Sequence, residues 1–289
     1  MDKLLVIGAS GLLGSKVLEL GKHKYTTYGT YNTNKKDGLI KINVIDKKKV
    51  FSLINRIKPT IIFDTHTINN VDYCETHKEE AWDINVEGSK NVAKASKSIG
   101  AKYVFISSDY IFSGKKRIYT ENDKPDPLNY LGRTKWAVES LIEILDIDSI
   151  VARTSGLYGA QSSTGKKSFI QWVIESLKNK ERINVVSDQN LSFTLVDDLV
   201  NSLFSLIESG QKGTFNIVGK DCISKYEFAM QISKEFNLNS SLISKYTTSK
   251  LSQVAKRPKK VRLSTKKLMR VIHKTPAGVD EGIRKISRL

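Results

Sequence analysis

The chain has 289 residues, 39% of them hydrophobic, and carries a formal net charge of +17. That length holds one large α/β unit or a unit plus a smaller lobe, and the apolar share excludes a disordered chain. No apolar run approaches the ~20 residues of a membrane-spanning helix, and Cys74 and Cys222, far apart and without CxxC spacing, exclude a disulfide framework or a cysteine zinc site.

Residues 4–8 read as a short buried strand that runs into Gly8, Gly11 and Gly14, with a helix following as far as Leu20. This apolar start is too short for a signal peptide, and the two isolated cysteines fit a reducing cytosol as the expected compartment. Residues 26–31 and 39–44 read as strands. Residues 47–57 form a helix with Val50, Leu53, Ile54 and Ile57 on one face. A buried strand at 60–64, a long helix at 79–99, a strand at 103–107, a helix ending at Leu145 and a strand at 149–153 continue the alternation. Strands and helices at this pitch predict an α/β fold, a doubly wound parallel sheet of Rossmann type. After Arg153 the rhythm changes. Helices are expected at 169–177, 195–207 and 225–236 and a strand at 214–218, while 256–274 reads as basic and irregular. The expected organisation is a dinucleotide-binding unit at 1–153 and a smaller C-terminal α/β lobe at 154–289, partly interleaved with the sheet.

The first strand, glycine turn and helix make a cradle for a pyrophosphate. Gly8, Gly11 and Gly14 allow a tight turn, close approach of backbone to phosphate, and close helix–strand packing. Ser10, Leu12 and Leu13 complete the loop and present backbone N–H groups at the helix start. An NAD-selective site usually carries an acid after the second strand to bind the ribose 2′-hydroxyl. Here Asn32 and Lys35 stand there, with Lys36 beside them. Small polar groups and lysines suit a 2′-phosphate, so NADP is expected, with NAD as the alternative. From Lys245 to the C-terminus there are 14 Lys or Arg against two acids. Such a tail attracts anions, but it has few aromatics for base stacking, so nucleic acid is disfavoured as a partner.

Several motifs together resemble the extended short-chain dehydrogenase/reductases, in particular the dTDP-4-dehydrorhamnose reductase branch. They are Gly8-Ala9-Ser10-Gly11-Leu12-Leu13-Gly14, Ile106-Ser107-Ser108-Asp109-Tyr110-Ile111-Phe112-Ser113-Gly114, Trp82-Asp83-Ile84-Asn85-Val86, and Asn129-Tyr130-Leu131-Gly132-Arg133-Thr134-Lys135. The resemblance implies a reductase of a nucleotide-linked 4-keto-6-deoxy sugar. It implies that Ser108 orients the substrate carbonyl, Lys135 holds the nicotinamide ribose, Asn85 supports the site, and Asn43 lies near the adenine. The family's reaction uses Tyr-x-x-x-Lys, and the position four before Lys135 is Leu131. Tyr130 is one place too early and stands as the candidate proton donor. The family's Asn-Ala-Ala-Ala stretch becomes Phe63-Asp64-Thr65-His66, which sets His66 beside the expected ribose site. On the substrate side the resemblance implies contacts from Gln189, in Ser187-Asp188-Gln189, and from Arg257, in Lys256-Arg257-Pro258. No metal is expected, and a homo-oligomer is compatible with the family. The missing tyrosine leaves a second implied function open: a non-catalytic NADP-binding subunit, like the regulatory subunit of methionine adenosyltransferase.

Overall fold

The computed structural model describes residues 2–160 and 168–289. Its centre is a seven-stranded parallel sheet. β1 (Lys3–Ile7), α1 (Leu12–Gly21), β2 (Thr26–Tyr31), β3 (Ile40–Lys41), α2 (Lys47–Ile57) and β4 (Ile61–Asp64) build one half. α3 (Val71–Thr76), α4 (Lys78–Trp82), a π-helical segment (Asp83–Gly88), α5 (Ser89–Ser98), β5 (Lys102–Ser108), α6 (Tyr130–Leu145) and β6 (Ser149–Thr154) follow. The long helix expected at 79–99 is thus broken by a π segment. Asn85 within that segment ties it to neighbouring chain, as described below.

The second part adds β7 (Leu157–Tyr158), α7 (Phe169–Lys178), β8 (Ile183–Val186), β9 (Asn190–Ser192), β10 (Thr194–Leu195) and α8 (Val196–Glu208). It ends with β11 (Gly213–Asn216), β12 (Cys222–Ser224), α9 (Lys225–Glu235), β13 (Ile243–Tyr246), α10 (Lys266–Ile272) and α11 (Val279–Ser287). The large sheet runs β11-β6-β5-β4-β1-β2-β3, so its last strand comes from well beyond residue 153. Three two-stranded pairs, β7–β10, β9–β12 and β8–β13, serve the C-terminal part. The stretch expected to be irregular at 256–274 contains α10. The three lysines and arginines of α10 mask a short apolar face that buries Leu268.

Burial explains the architecture. One face of the sheet packs Leu4, Val6, Phe63, Val104 and Ile150 against Val17 of α1 and Leu199, Leu203 and Phe204 of α8. The other packs Leu5, Ile7, Ile62 and Phe105 against Leu53 and Ile54 of α2, Val92 of α5 and Val138 of α6. A separate apolar core, around Val173 of α7, Phe228 and Ile232 of α9 and Ile283 of α11, holds the C-terminal lobe. Serine-led capping boxes begin α7 and α9, where Ser168 pairs with Gln171 and Ser224 with Glu227. Buried Arg153 on β6 ties the sheet to α6 and to the loop before it. Its guanidinium donates to both carboxylate oxygens of Glu139 at 2.7–3.2 Å and to the Glu121 carbonyl.

No helix among the described residues is long and apolar enough to cross a membrane. No cluster among them of three or more His, Cys, Asp or Glu could hold a metal ion. Cys74 and Cys222 are both free.

Candidate active site

The carboxyl ends of β1, β4 and β5 lie side by side, and chain reversal between β1 and β4 opens a crevice there. Gly8 leaves β1 with φ +83°, and a Cβ on it would sit 2.8 Å from the His66 backbone nitrogen. A Cβ on Gly14 would lie 2.5 Å from the Gly8 carbonyl oxygen. Both positions therefore require glycine, one for its backbone conformation and one for close packing of α1 on the loop. Gly11 caps α1 with no side-chain hydrogen bond, and the first turn carries no acid. The helix start thus keeps positive character toward the crevice. Leu13 is buried, while Leu12 packs partly buried against the sheet. Ser10 is buried within the loop.

These features fit a dinucleotide: a cradle that a Cβ would fill, and a helix N-terminus that attracts phosphate. The loop after β2 leaves Asn32 and Lys35 exposed. Asn43 is exposed too, its amide oxygen accepting from the Ile45 N–H at 3.1 Å.

Thr65 and His66 line the floor. The Thr65 hydroxyl donates to the Ile7 carbonyl at 2.7 Å. The His66 ring lies between Asp64 and the Ile84 carbonyl of the π segment, 2.9 Å from the latter. A carbonyl can only accept, so Nε2 carries a proton, and Nδ1 shares one with Asp64. Burial opposes both charges, yet each stabilises the other: Asp64 is held below the usual carboxylate range and His66 above the usual imidazole range. The Tyr103 hydroxyl also donates to Asp64. His66 is thereby fixed in the floor.

Lys135 projects from α6 onto β5. Its ammonium donates to the Ile106 carbonyl at 2.9 Å and lies 4.9 Å from the Phe105 ring centroid. Burial pushes it down to about 8, against the pull of Asp64. Ser108 stands two residues beyond Ile106 at the end of β5. It is half-buried, so a substrate can reach it. Its oxygen accepts from the Tyr110 N–H at 3.2 Å and donates to Asp109 Oδ1 at 3.1 Å. Asp109 itself is 2% exposed, and burial pushes its carboxyl up to about 6.

Asn85 serves as a clamp. Its amide oxygen accepts from the Ile68 N–H at 2.7 Å, and its nitrogen donates to the Ile68 carbonyl and the Thr134 hydroxyl. The π segment, the loop before α3 and the start of α6 meet there.

Leu131 lies one helical turn before Lys135, hence on the same face. It is 3% exposed and packs with Val71, Cys74, Ala81 and Ala255. Tyr130, about 100° around the helix from it, has its backbone N–H bonded to Glu75 and its ring 5.8 Å from the Lys78 ammonium. Its surroundings are the corner between α3 and α4. On the substrate side Gln189 is buried, its amide donating to Thr248 and Gln253 at 3.0 Å each. Arg257 grips Asp72 through two nitrogens at 2.8 and 3.0 Å and also bonds the Ala255 carbonyl. Neither the burial of Asp109 nor the pairing of Asp72 is legible in the sequence: burial of a carboxylate has no local signature, and Asp72 lies 185 positions from its partner.

The RmlD substrate binding domain family matches residues 2–288. The chain belongs to that family. It is 34% identical over 260 residues to the spore coat polysaccharide biosynthesis protein SpsK of Bacillus subtilis, covering 89% of this chain and 87% of that protein. It is 31% identical to methionine adenosyltransferase 2 subunit beta of Mus musculus, over 97% of this chain and 87% of that one. Among solved structures, dTDP-4-dehydrorhamnose reductase from Bacillus anthracis in complex with NADP superposes with a TM-score of 0.90 at 29% identity, covering 99% of both chains.

Proposed function

We propose that this chain is an NADP-dependent reductase of a nucleotide-linked 4-keto-6-deoxy sugar, similar in chemistry to the dTDP-4-dehydrorhamnose reductases. The observation that carries the reading is the convergence of Ser108 and Lys135 on the carboxyl end of β5, where Lys135 bonds the Ile106 carbonyl two residues before Ser108. Gly8, Ser10, Gly11, Leu12, Leu13 and Gly14 would hold the pyrophosphate. Asn32 and Lys35 would receive the 2′-phosphate, Asn43 would lie near the adenine, and Lys135 would bind the nicotinamide ribose. When bound, such a cofactor supplies a hydride equivalent to a carbonyl carbon. Ser108 would hold the carbonyl oxygen by a hydrogen bond, and Asn85 would keep the loop before α3 and the start of α6 in register.

Residues 1–153 would form the cofactor-binding unit and 154–289 the substrate lobe, with β11 returning to the sheet. Arg257 and Gln189 would face the nucleotide diphosphate and sugar from that lobe after exchanging their present partners. The resemblance to an NADP-bound reductase over the full length supports the cofactor and substrate class. Mixing the protein with NADPH and a dTDP-4-keto-6-deoxy sugar tests the reading: it requires cofactor oxidation with matching formation of a reduced sugar nucleotide.

Leu131 favours a second reading. An aliphatic side chain cannot transfer a proton, and its burial with Val71 and Cys74 gives it a packing role. The chain would then bind NADP and serve as a non-catalytic subunit of a larger enzyme, as the similarity to a methionine adenosyltransferase subunit suggests. Tight NADPH binding with no turnover, together with a stable complex with a methionine adenosyltransferase catalytic subunit, would favour it.

A further inference from the structure

We propose that Asp109, acting through Ser108, supplies the proton that a tyrosine at position 131 would otherwise give to the reduced carbonyl oxygen. The inference rests on the reductase reading. It follows from an otherwise unmet need. Reducing a ketone adds a hydride to carbon and a proton to oxygen, and a positioned acid is worth roughly 10²–10⁴-fold in rate. Leu131 has no proton to give, and the ring of Tyr130 lies by Lys78 at the α3–α4 corner. Lys135 is bound to the Ile106 carbonyl. Ser108 reaches the crevice but is itself a very weak acid, so it needs a proton from behind.

Asp109 stands behind it. Oδ1 accepts from the Ser108 hydroxyl at 3.1 Å, and Oδ2 accepts from the Ser155 hydroxyl at 2.6 Å; when Asp109 carries a proton and the Ser108 hydroxyl turns to the substrate, the same contact runs from carboxyl to Ser108. Being 2% exposed, Asp109 cannot touch a sugar directly. The step balances as follows. The carbonyl carbon accepts a hydride from the dihydronicotinamide, and the C=O π pair moves to oxygen. That oxygen takes the Ser108 hydroxyl proton, and Ser108 takes the carboxyl proton of Asp109. Asp109 is left as a carboxylate and is reprotonated from solvent when product leaves. The dihydronicotinamide is oxidised and the ketone is reduced to an alcohol.

The surroundings favour a carboxyl that keeps its proton to unusually high pH. Burial raises it, and the hydroxyls of Ser155 and Ser108 only partly offset this. The titratable groups facing it are the Tyr110 phenol on the same turn and the Cys222 thiol of β12, both neutral in this range. The nearby cations act on those two groups instead: Arg257 on Tyr110, Lys260 and Arg262 on Cys222.

The test uses the full chain with NADPH and a dTDP-4-keto-6-deoxy sugar from about pH 5 to about pH 8. The wild-type rate should fall tenfold per pH unit once Asp109 ionises. Asp109→Asn should lose at least tenfold and lack that limb, whereas Ser108→Ala, which removes the carbonyl contact as well as the relay, should lose more. Independently of turnover, a ¹³C-carboxyl titration of the protein alone should show one aspartate with a midpoint near 6 that is missing in Asp109→Asn. An ordinary carboxylate midpoint at Asp109, a flat wild-type profile, or a full rate in Asp109→Asn would overturn the proposal. A folding failure of that variant leaves the wild-type profile and titration to decide. If Leu131→Tyr turns over but the wild type does not, the Asp109 role falls and the reductase reading stands. If neither turns over while both ligands bind, both fall.

Discussion

Leu131→Tyr is the most informative substitution. The position lies four residues before Lys135, so a tyrosine there shares the lysine's face of α6. Its phenol would find Lys135, whose own pKa is about 8, so the ammonium remains mostly cationic at neutral pH and favours the phenolate. A positioned acid contributes roughly 10²–10⁴-fold. Asp109 would already supply part of that, so the expected gain is about 10–10³-fold in kcat. The change has a structural cost. Leu131 fills a tight cluster with Val71, Cys74, Ala81 and Ala255, and a larger side chain must turn out of it toward the crevice. Overpacking or vacating such a site costs about 1–3 kcal/mol. The assay is NADPH consumption at saturating sugar nucleotide, alongside a denaturant melt. Equal or lower kcat in a variant that binds NADPH normally would refute the alignment of position 131 with the proton donor.

NADPH should bind more tightly than NADH, with the preference weakened in Lys35→Ala; equal affinities in calorimetry would remove Lys35 from the 2′-phosphate site. Arg257→Ala breaks a partly exposed pair with Asp72 and should cost about 1–2 kcal/mol in a denaturant melt; an unchanged midpoint would make the pair energetically idle. The Arg257 side-chain bonds hold Asp72 below the usual carboxylate range, so its contribution is complete at neutral pH and fades as pH falls through that range. Asp72→Asn should therefore flatten the acid side of the stability profile, and an unaltered acid limb would contradict this. Glu139→Ala strands the buried Arg153 guanidinium and should cost about 3–5 kcal/mol, seen as a lower thermal midpoint; a loss below about 1 kcal/mol would mean that Arg153 finds other partners.

Local pattern carried much of the fold. The strand at 26–31 and the helix at 47–57 were legible because their period and their boundary residues agree: Asp46 caps that helix by accepting from the Lys49 N–H. Gly8 was legible because only its residue type permits the turn. The π segment was not, since nothing in residues 83–88 departs from a helical pattern; the Asn85 contacts to Ile68 and Thr134 come from distant chain. α11 was missed because acids and cations fill its outer face around Val279 and Ile283. In the site, Ser108 and Lys135 could be placed by motif. The commitments of Arg257 to Asp72 and Gln189 to Thr248, and the burial of Asp109, are tertiary facts with no signal along the chain.

The central claim is that the crevice at the ends of β1, β4 and β5 reduces a nucleotide-linked keto sugar with NADPH. Mass spectrometry of the sugar nucleotide after incubation with deuterated NADPH tests it most directly. The account predicts one deuterium transferred to the sugar, slowly in the wild type and faster in Leu131→Tyr. Tight binding of both ligands with no deuterium in the sugar, in either protein, would contradict it.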